Sequence, residues 1–137
     1  MKKASGVGIV YNNSILLARR SEEHGGKPVP LGGYWSIFGG SFNTKENAMV
    51  CAIRELREES GIEVDFHDLQ FIRTIYNKDV QFTVYIVEVK SRPDVNINDE
   101  HTEFGWFFID KMDSFPYDID PELVDCIKQF QKYRYIK

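Results

Sequence analysis

From Asn43 to Gly61 the chain carries a helix whose two stripes make opposite demands on their surroundings. At about 100° per residue, Met49, Ala52, Ile53 and Leu56 share an apolar stripe that needs a core to cover it. Glu55, Glu58 and Glu59, spaced i, i+3, i+4, form an acidic stripe beside it. Asn43-Thr44 followed by Glu46 reads as a capping box, and the helix is expected to run to about Ser60. Gly61 supplies the left-handed residue that ends it, and Ile62 folds back onto Leu56. Ala48 and Cys51 are small and let another backbone come close on the acidic side.

The acidic stripe destabilises a bare helix. Each like-charged neighbour costs on the order of 0.2–0.5 kcal/mol even when exposed. The negative end of the helix dipole adds roughly 0.3–1 kcal/mol per carboxylate. A hard divalent cation removes both penalties, and Mg²⁺ takes oxygen ligands while keeping waters that it shares with substrate phosphates. The three carboxylates therefore predict a Mg²⁺ or Mn²⁺ site on this helix face. The competing arrangement is a solvated helix with Arg54 and Glu58 as an i, i+4 ion pair.

Strands are expected on either side of the helix. Val7, Ile9 and Tyr11 alternate within 4–11, Asn12-Asn13 has turn chemistry, and 14–19 returns as the second strand of a hairpin. Residues 21–34, with Gly25-Gly26, Pro28, Pro30 and Gly32-Gly33, form a long loop of the kind that is more often functional than idle. A short strand over 35–38 ends in Gly39-Gly40, and strands over 71–76 and 80–89 flank the turn at 77–79. A polar loop over 91–100 leads to a strand over 104–109. Pro121 opens a last helix, 121–133, with Leu123, Cys126, Ile127 and Phe130 on its buried stripe. This order predicts an α/β domain: a mixed sheet with helices on both faces. At 137 residues and 42% hydrophobic, the chain can bury a core as one domain over 1–137.

Seventeen Lys+Arg against 21 Asp+Glu leave a formal net charge of -4, which argues against nucleic acid as a partner. Basic density is confined to Arg19, Arg20 and Lys27 and to the Lys128–Lys137 stretch. Cys51 and Cys126 stand in apolar helical settings without metal-ligand spacing, as buried thiols of a reducing compartment do. No apolar run reaches the roughly 20 residues of a membrane span, and no signal peptide opens the chain. A soluble cytoplasmic protein without a membrane partner is expected.

From Gly40 the chain reads glycine, five residues, Glu46, seven residues, Arg54-Glu55-Leu56, one residue, Glu58-Glu59, one residue, Gly61-Ile62. This resembles the Nudix box, GX5EX7REUXEEXGU with U aliphatic, and fills all nine specified positions over 23 residues. The element order also follows that family, and the chain looks like a single MutT-like domain. The resemblance implies an α/β/α sandwich around a mixed sheet, and hydrolysis of a diphosphate linkage in a nucleoside diphosphate joined to another group, with divalent metal on the box carboxylates. Carried over, Glu58 and Glu59 are the principal metal ligands, Glu55 is a ligand or base, and the Gly39 carbonyl is a further ligand. Arg54 orients Glu55 by a charge-assisted hydrogen bond, Glu46 ties the loop to the helix, and Gly40 and Gly61 serve backbone geometry. Many relatives add an acidic residue before a late strand. Glu100, six residues before Trp106, fits that place as ligand or base, with Glu103 as the alternative and His101 as a surface loop histidine. Arg20 and Arg19 occupy the place of a phosphate-contacting arginine pair. Lys27 is a weaker candidate, and Tyr34, Tyr76 and Tyr117 offer faces for base stacking.

Departures from the family pattern leave the substrate open. Phe38 replaces the proline common before the glycine pair. Ile119 stands near the asparagine with which MutT-like members read oxidised guanine, and it cannot supply those hydrogen bonds. The proline of many ADP-ribose enzymes is absent around 77–79, and Tyr76 lies near, but not at, the tyrosine position of diadenosine-polyphosphate enzymes. The longer motifs of the NADH and CoA pyrophosphatases are missing. The resemblance allows hydrolysis of nucleoside triphosphates, nucleotide sugars, dinucleoside polyphosphates or capped RNA, or a non-catalytic nucleotide sensor. It also allows a homodimer, for which the aromatic segment Phe130–Tyr135 is a candidate contact.

Overall fold

The computed structural model describes residues 1–134. The long strands are β1 (Lys2–Tyr11), β2 (Ser14–Arg20), β7 (Gln70–Tyr76), β8 (Val80–Glu88) and β9 (His101–Phe108). Shorter ones are β3 (Glu23–His24), β4 (Lys27–Pro28), β5 (Trp35–Ser36) and β6 (Phe38–Ser41). The helices are α1 (Ala48–Ser60) and α2 (Pro121–Arg134), with 3-10 turns at Phe66–Asp68 and Ile109–Ser114. Tyr135 and the end of the basic stretch lie outside the described residues.

The sheet runs β5-β2-β1-β8-β7, with β6 added to β1 and β9 to β2. β1 lies parallel to β8 and antiparallel to β2 and β6, so the sheet is mixed. Its central strands are apolar on both faces, as a sheet covered on both sides requires. On β2, Ile15 and Leu17 face the α2 layer while Leu16 and Ala18 face the α1 layer. On β8, Val84 and Ile86 alternate in the same way with Tyr85 and Val87. Ala52 and Leu56 of α1 close one core, and Leu123, Cys126, Ile127 and Phe130 of α2 close the other. This is the expected α/β/α layering, and both cysteines are buried free thiols. Among the described residues no helix is long and apolar enough to cross a membrane.

Several elements differ from expectation. The helix starts at Ala48 behind the N-cap Asn47, whose side chain accepts from the Val50 amide at 2.9 Å. Asn43 and Glu46 do make the box contact, Asn43 N–H to Glu46 Oε1 at 2.7 Å, but Lys45 between them adopts a left-handed φ of 70° that separates this turn from the helix. The strand after the long loop is split and continues through Gly39-Gly40 to Ser41. The long loop itself contains the β3-β4 ribbon. β9 begins at His101 rather than 104, because Arg20 and His101 pair across a register shift in β2.

Candidate metal centre and nucleotide cleft

Arg54 organises the start of the site from the middle of α1. Its Nε donates to Glu46 Oε2 at 2.6 Å and its Nη2 to Glu46 Oε1 at 2.9 Å, a bidentate pair. Nη2 also reaches the Ser41 carbonyl at 3.1 Å, which fixes β6 to the helix. Nη1 donates to Glu55 Oε1 at 2.9 Å and to Glu58 Oε2 at 3.0 Å. The guanidinium beside Glu46 holds that carboxyl below its ordinary range. Glu46 thus ties the loop to the helix, as expected, and Arg54 does contact Glu55.

The β6 backbone brings the carboxylates together. A Cβ on Gly40 would stand 2.5 Å from the Glu55 carboxyl carbon, so only glycine leaves Glu55 its place. The small Cys51 side chain also lies against this backbone, Sγ to Gly40 O at 3.3 Å. The Gly39 amide donates to Glu59 Oε1 at 3.3 Å. An antiparallel strand sends a residue's N–H and C=O to the same side, so the Gly39 carbonyl faces the helix edge as well.

Glu59 is 1% exposed, the most buried charged residue of the site. Ligand oxygens of Glu55, Glu59 and Glu100 lie within 4.8 Å of one another. Burial first, then the adjoining Glu55 carboxylate and the charge of Glu100, push the Glu59 carboxyl far above its ordinary range. Its Oε2 is buried without a hydrogen-bond partner. An orphaned oxygen within a set of three oxygen donors fits a hard divalent cation, which would satisfy Oε2 and offset the repulsion together.

Glu58 stands outside this group: its side chain is half exposed and its carboxylate is held by Arg54. Both the predicted acidic stripe and the competing Arg54–Glu58 pair are therefore present on one helix. Of the two later candidates, Glu100 joins the group, while Glu103 lies exposed in β9 opposite Arg19.

His101 is not a surface residue. It is buried in β9, edge-on to the Phe38 ring with centroids 5.1 Å apart, and its Nε2 is 3.9 Å from Glu59 Oε1. Burial first, then the charge of Arg20, lowers its pKa to about 4, so the imidazole is neutral at neutral pH. The polar run 99–103 conceals this position; pairing with Arg20 is what turns His101 inward.

Beside this group lies a cleft of about 230 Å³, walled by Trp35, Ile37, Ile75, Phe82 and Leu123 and by the Gly39-Gly40 backbone. Arg20 lines it, with Nε buried and unpartnered and no ion pair among the described residues. Arg19 instead points to Glu22 at 3.4 Å and to Thr102 at 3.3 Å. Tyr34 is in the cleft wall, Tyr117 stacks on Trp35 with centroids 5.3 Å apart, and Tyr76 is exposed. Lys27 sits on the exposed β4. Lys2, Asn77 and Asp120 also line the cleft. No local pattern marks them, since they meet only through the pairing of β1 with β8 and the docking of α2.

Residues 1–130 match the family model described as NUDIX domain. Among solved structures, an Ap4A hydrolase from C. elegans, in a binary complex, is similar over 100% of both chains at 19% identity and a TM-score of 0.79. The NUDIX domain of NrtR from Shewanella oneidensis, complexed with ADP ribose, is similar over 98% of this chain and 88% of its own at 14% identity and a TM-score of 0.76. A MutT NUDIX hydrolase from Burkholderia pseudomallei matches over 93% of this chain and 96% of its own at 21% identity and a TM-score of 0.72. A curated relative from Myxococcus xanthus, named octanoyltransferase, is 30% identical over 98 residues, 67% of this chain but only 26% of that protein.

Proposed function

Because the chain belongs to the Nudix family, we propose that it hydrolyses a diphosphate linkage in a nucleoside diphosphate derivative, with Mg²⁺ or Mn²⁺ as cofactor. Nucleoside triphosphates, nucleotide sugars and dinucleoside polyphosphates are the substrate classes. The observation that carries this reading is the meeting of Glu55, Glu59 and Glu100 at the same glycine pair that walls the cleft.

Glu55, Glu59 and Glu100, with the Gly39 carbonyl, would hold the cation. Glu58 joins the set if its carboxylate leaves Arg54. A bound divalent ion supplies charge neutralisation on the diphosphate and a more acidic water. The chain's own residues do the rest. Arg54 keeps Glu55 oriented, Arg20 takes a phosphate oxygen at the cleft, and the apolar walls take the nucleoside. Water adds to one phosphorus, the bridging P–O bond breaks, and Glu55 or Glu100 accepts the proton.

The test is release of phosphate or pyrophosphate from a panel of these nucleotides with and without Mg²⁺. Turnover of at least one class, lost on chelation, is expected. Tight binding of a nucleotide with no turnover across the panel would instead support a sensor.

A further inference from the structure

We propose that Asn98 and Ser21 are positioning residues that hold Glu100 against Glu55 and Glu59; this rests on the metal-site reading above. Glu100 is exposed and comes from the polar loop ahead of β9, whereas its two companions stand on a rigid helix. A carboxylate on a free loop would have to be ordered each time a cation binds, at a cost in backbone entropy. Here that segment is tied on both sides. Asn98 Oδ1 accepts from the Glu100 amide at 3.0 Å, while Asn98 Nδ2 donates to the Glu58 carbonyl at 3.2 Å. One side chain thus joins the Glu100 backbone to the last turn of the helix bearing the other ligands. From the end of β2, the Ser21 amide donates to the Glu100 carbonyl at 2.9 Å and its hydroxyl to the Asp99 carbonyl at 2.7 Å. Ser21 is itself buried, and it follows Arg20 directly. The same anchor therefore sets the spacing between the cleft arginine and the acidic group. Partners that orient metal ligands in this way alter metal affinity by about 10–100-fold when removed.

Mn²⁺ binding to the protein without nucleotide, followed by the electron paramagnetic resonance signal of free Mn²⁺, tests the assignment. Asn98→Ala is expected to raise the Mn²⁺ dissociation constant by about tenfold. Ser21→Ala is expected to raise it in the same direction, and Ser21→Thr, which keeps the hydroxyl, to restore it. In a Glu100→Gln background, Asn98→Ala should add less than about twofold, because the residue that it positions has already lost its charge. A fall in thermal midpoint with unchanged Mn²⁺ affinity would show that Asn98 and Ser21 serve the fold alone, and would overturn the proposal. If Asn98→Ala does not fold, the Ser21→Ala and Ser21→Thr pair decides by the same readout. Should Glu100→Gln itself leave Mn²⁺ binding unchanged, the place of Glu100 in the metal-site reading fails, a result distinct from failure of the clamp.

Discussion

Glu59 Oε1 accepts a hydrogen bond from the Gly39 amide at 3.3 Å, while its other oxygen is buried without a partner. A carboxylate half satisfied by a strand and half orphaned beside two more carboxylates is a poor structural element and a good cation ligand.

Substituting Glu59 therefore has opposite effects on stability and on metal binding. In the metal-free fold the Glu59 carboxyl is raised above its ordinary 4.5. Above that pH the unfolded chain releases a proton that the fold retains, so this group's effect on stability worsens as pH rises. Glu59→Gln is expected to stabilise the metal-free protein at pH 8 by on the order of 2 kcal/mol, with the two proteins converging below pH 4.5. The variant should also lose the rise in thermal midpoint that Mg²⁺ gives the parent. Denaturant melts at both pH values, with and without Mg²⁺, check this.

His101 produces an acid-side loss. Its folded pKa of about 4 lies below the ordinary 6.5. Between those values the unfolded chain binds a proton that the fold refuses, so stability is full above 6.5 and falls as pH drops towards 4. The loss is on the order of 3 kcal/mol at its limit. His101→Gln should flatten the pH dependence of the urea midpoint over this window. A proton NMR titration midpoint for His101 at or above 6 would contradict the assignment.

The adjacent glycines separate folding from chemistry. A Cβ at Gly39 would meet the Ser5 carbonyl oxygen at 2.5 Å and Gly6 Cα at 2.8 Å, both backbone, so Gly39→Ala is expected to destabilise by about 1–3 kcal/mol or more. At Gly40 the obstacle is the end of the Glu55 side chain, which can swing away. Gly40→Ala should keep nearly the parent thermal midpoint while turnover falls about 100-fold. Parallel melting and rate measurements on both variants distinguish the two effects.

Arg54 contacts three carboxylates and one carbonyl through a planar fork that a lysine cannot reproduce. Arg54→Lys is expected to cost about 2 kcal/mol of stability and to lower turnover more than it raises the KM for nucleotide. A change confined to KM would place Arg54 on the substrate instead.

The helix face was legible because i, i+3, i+4 spacing is local geometry: it places Glu55 and Glu59 together without knowledge of the rest of the chain. It also places Glu58 there, and what separates Glu58 from them is the reach of Arg54. The start of α1 is not legible in the same way, because Asn43 and Glu46 satisfy a capping box and do make its hydrogen bond, yet the helix begins only at Ala48. The left-handed Lys45 that interrupts the helix leaves no mark in composition. His101 was hidden for a different reason. Five polar residues in a row read as solvent-facing, and only pairing with Arg20 across a register shift in β2 brings the imidazole under Phe38. The cleft depends on β1 and β8 pairing side by side with partners 78 residues apart in sequence, such as Lys2 with Val80, which no window of local pattern contains.

The position of a bound divalent ion is the most direct test of the acidic group. Crystals grown with Mn²⁺ and measured for anomalous scattering should show a peak within coordination distance of Glu55, Glu59 and Glu100. A protein that binds Mn²⁺ but places the peak elsewhere, with Glu59 still buried and unliganded, would contradict it.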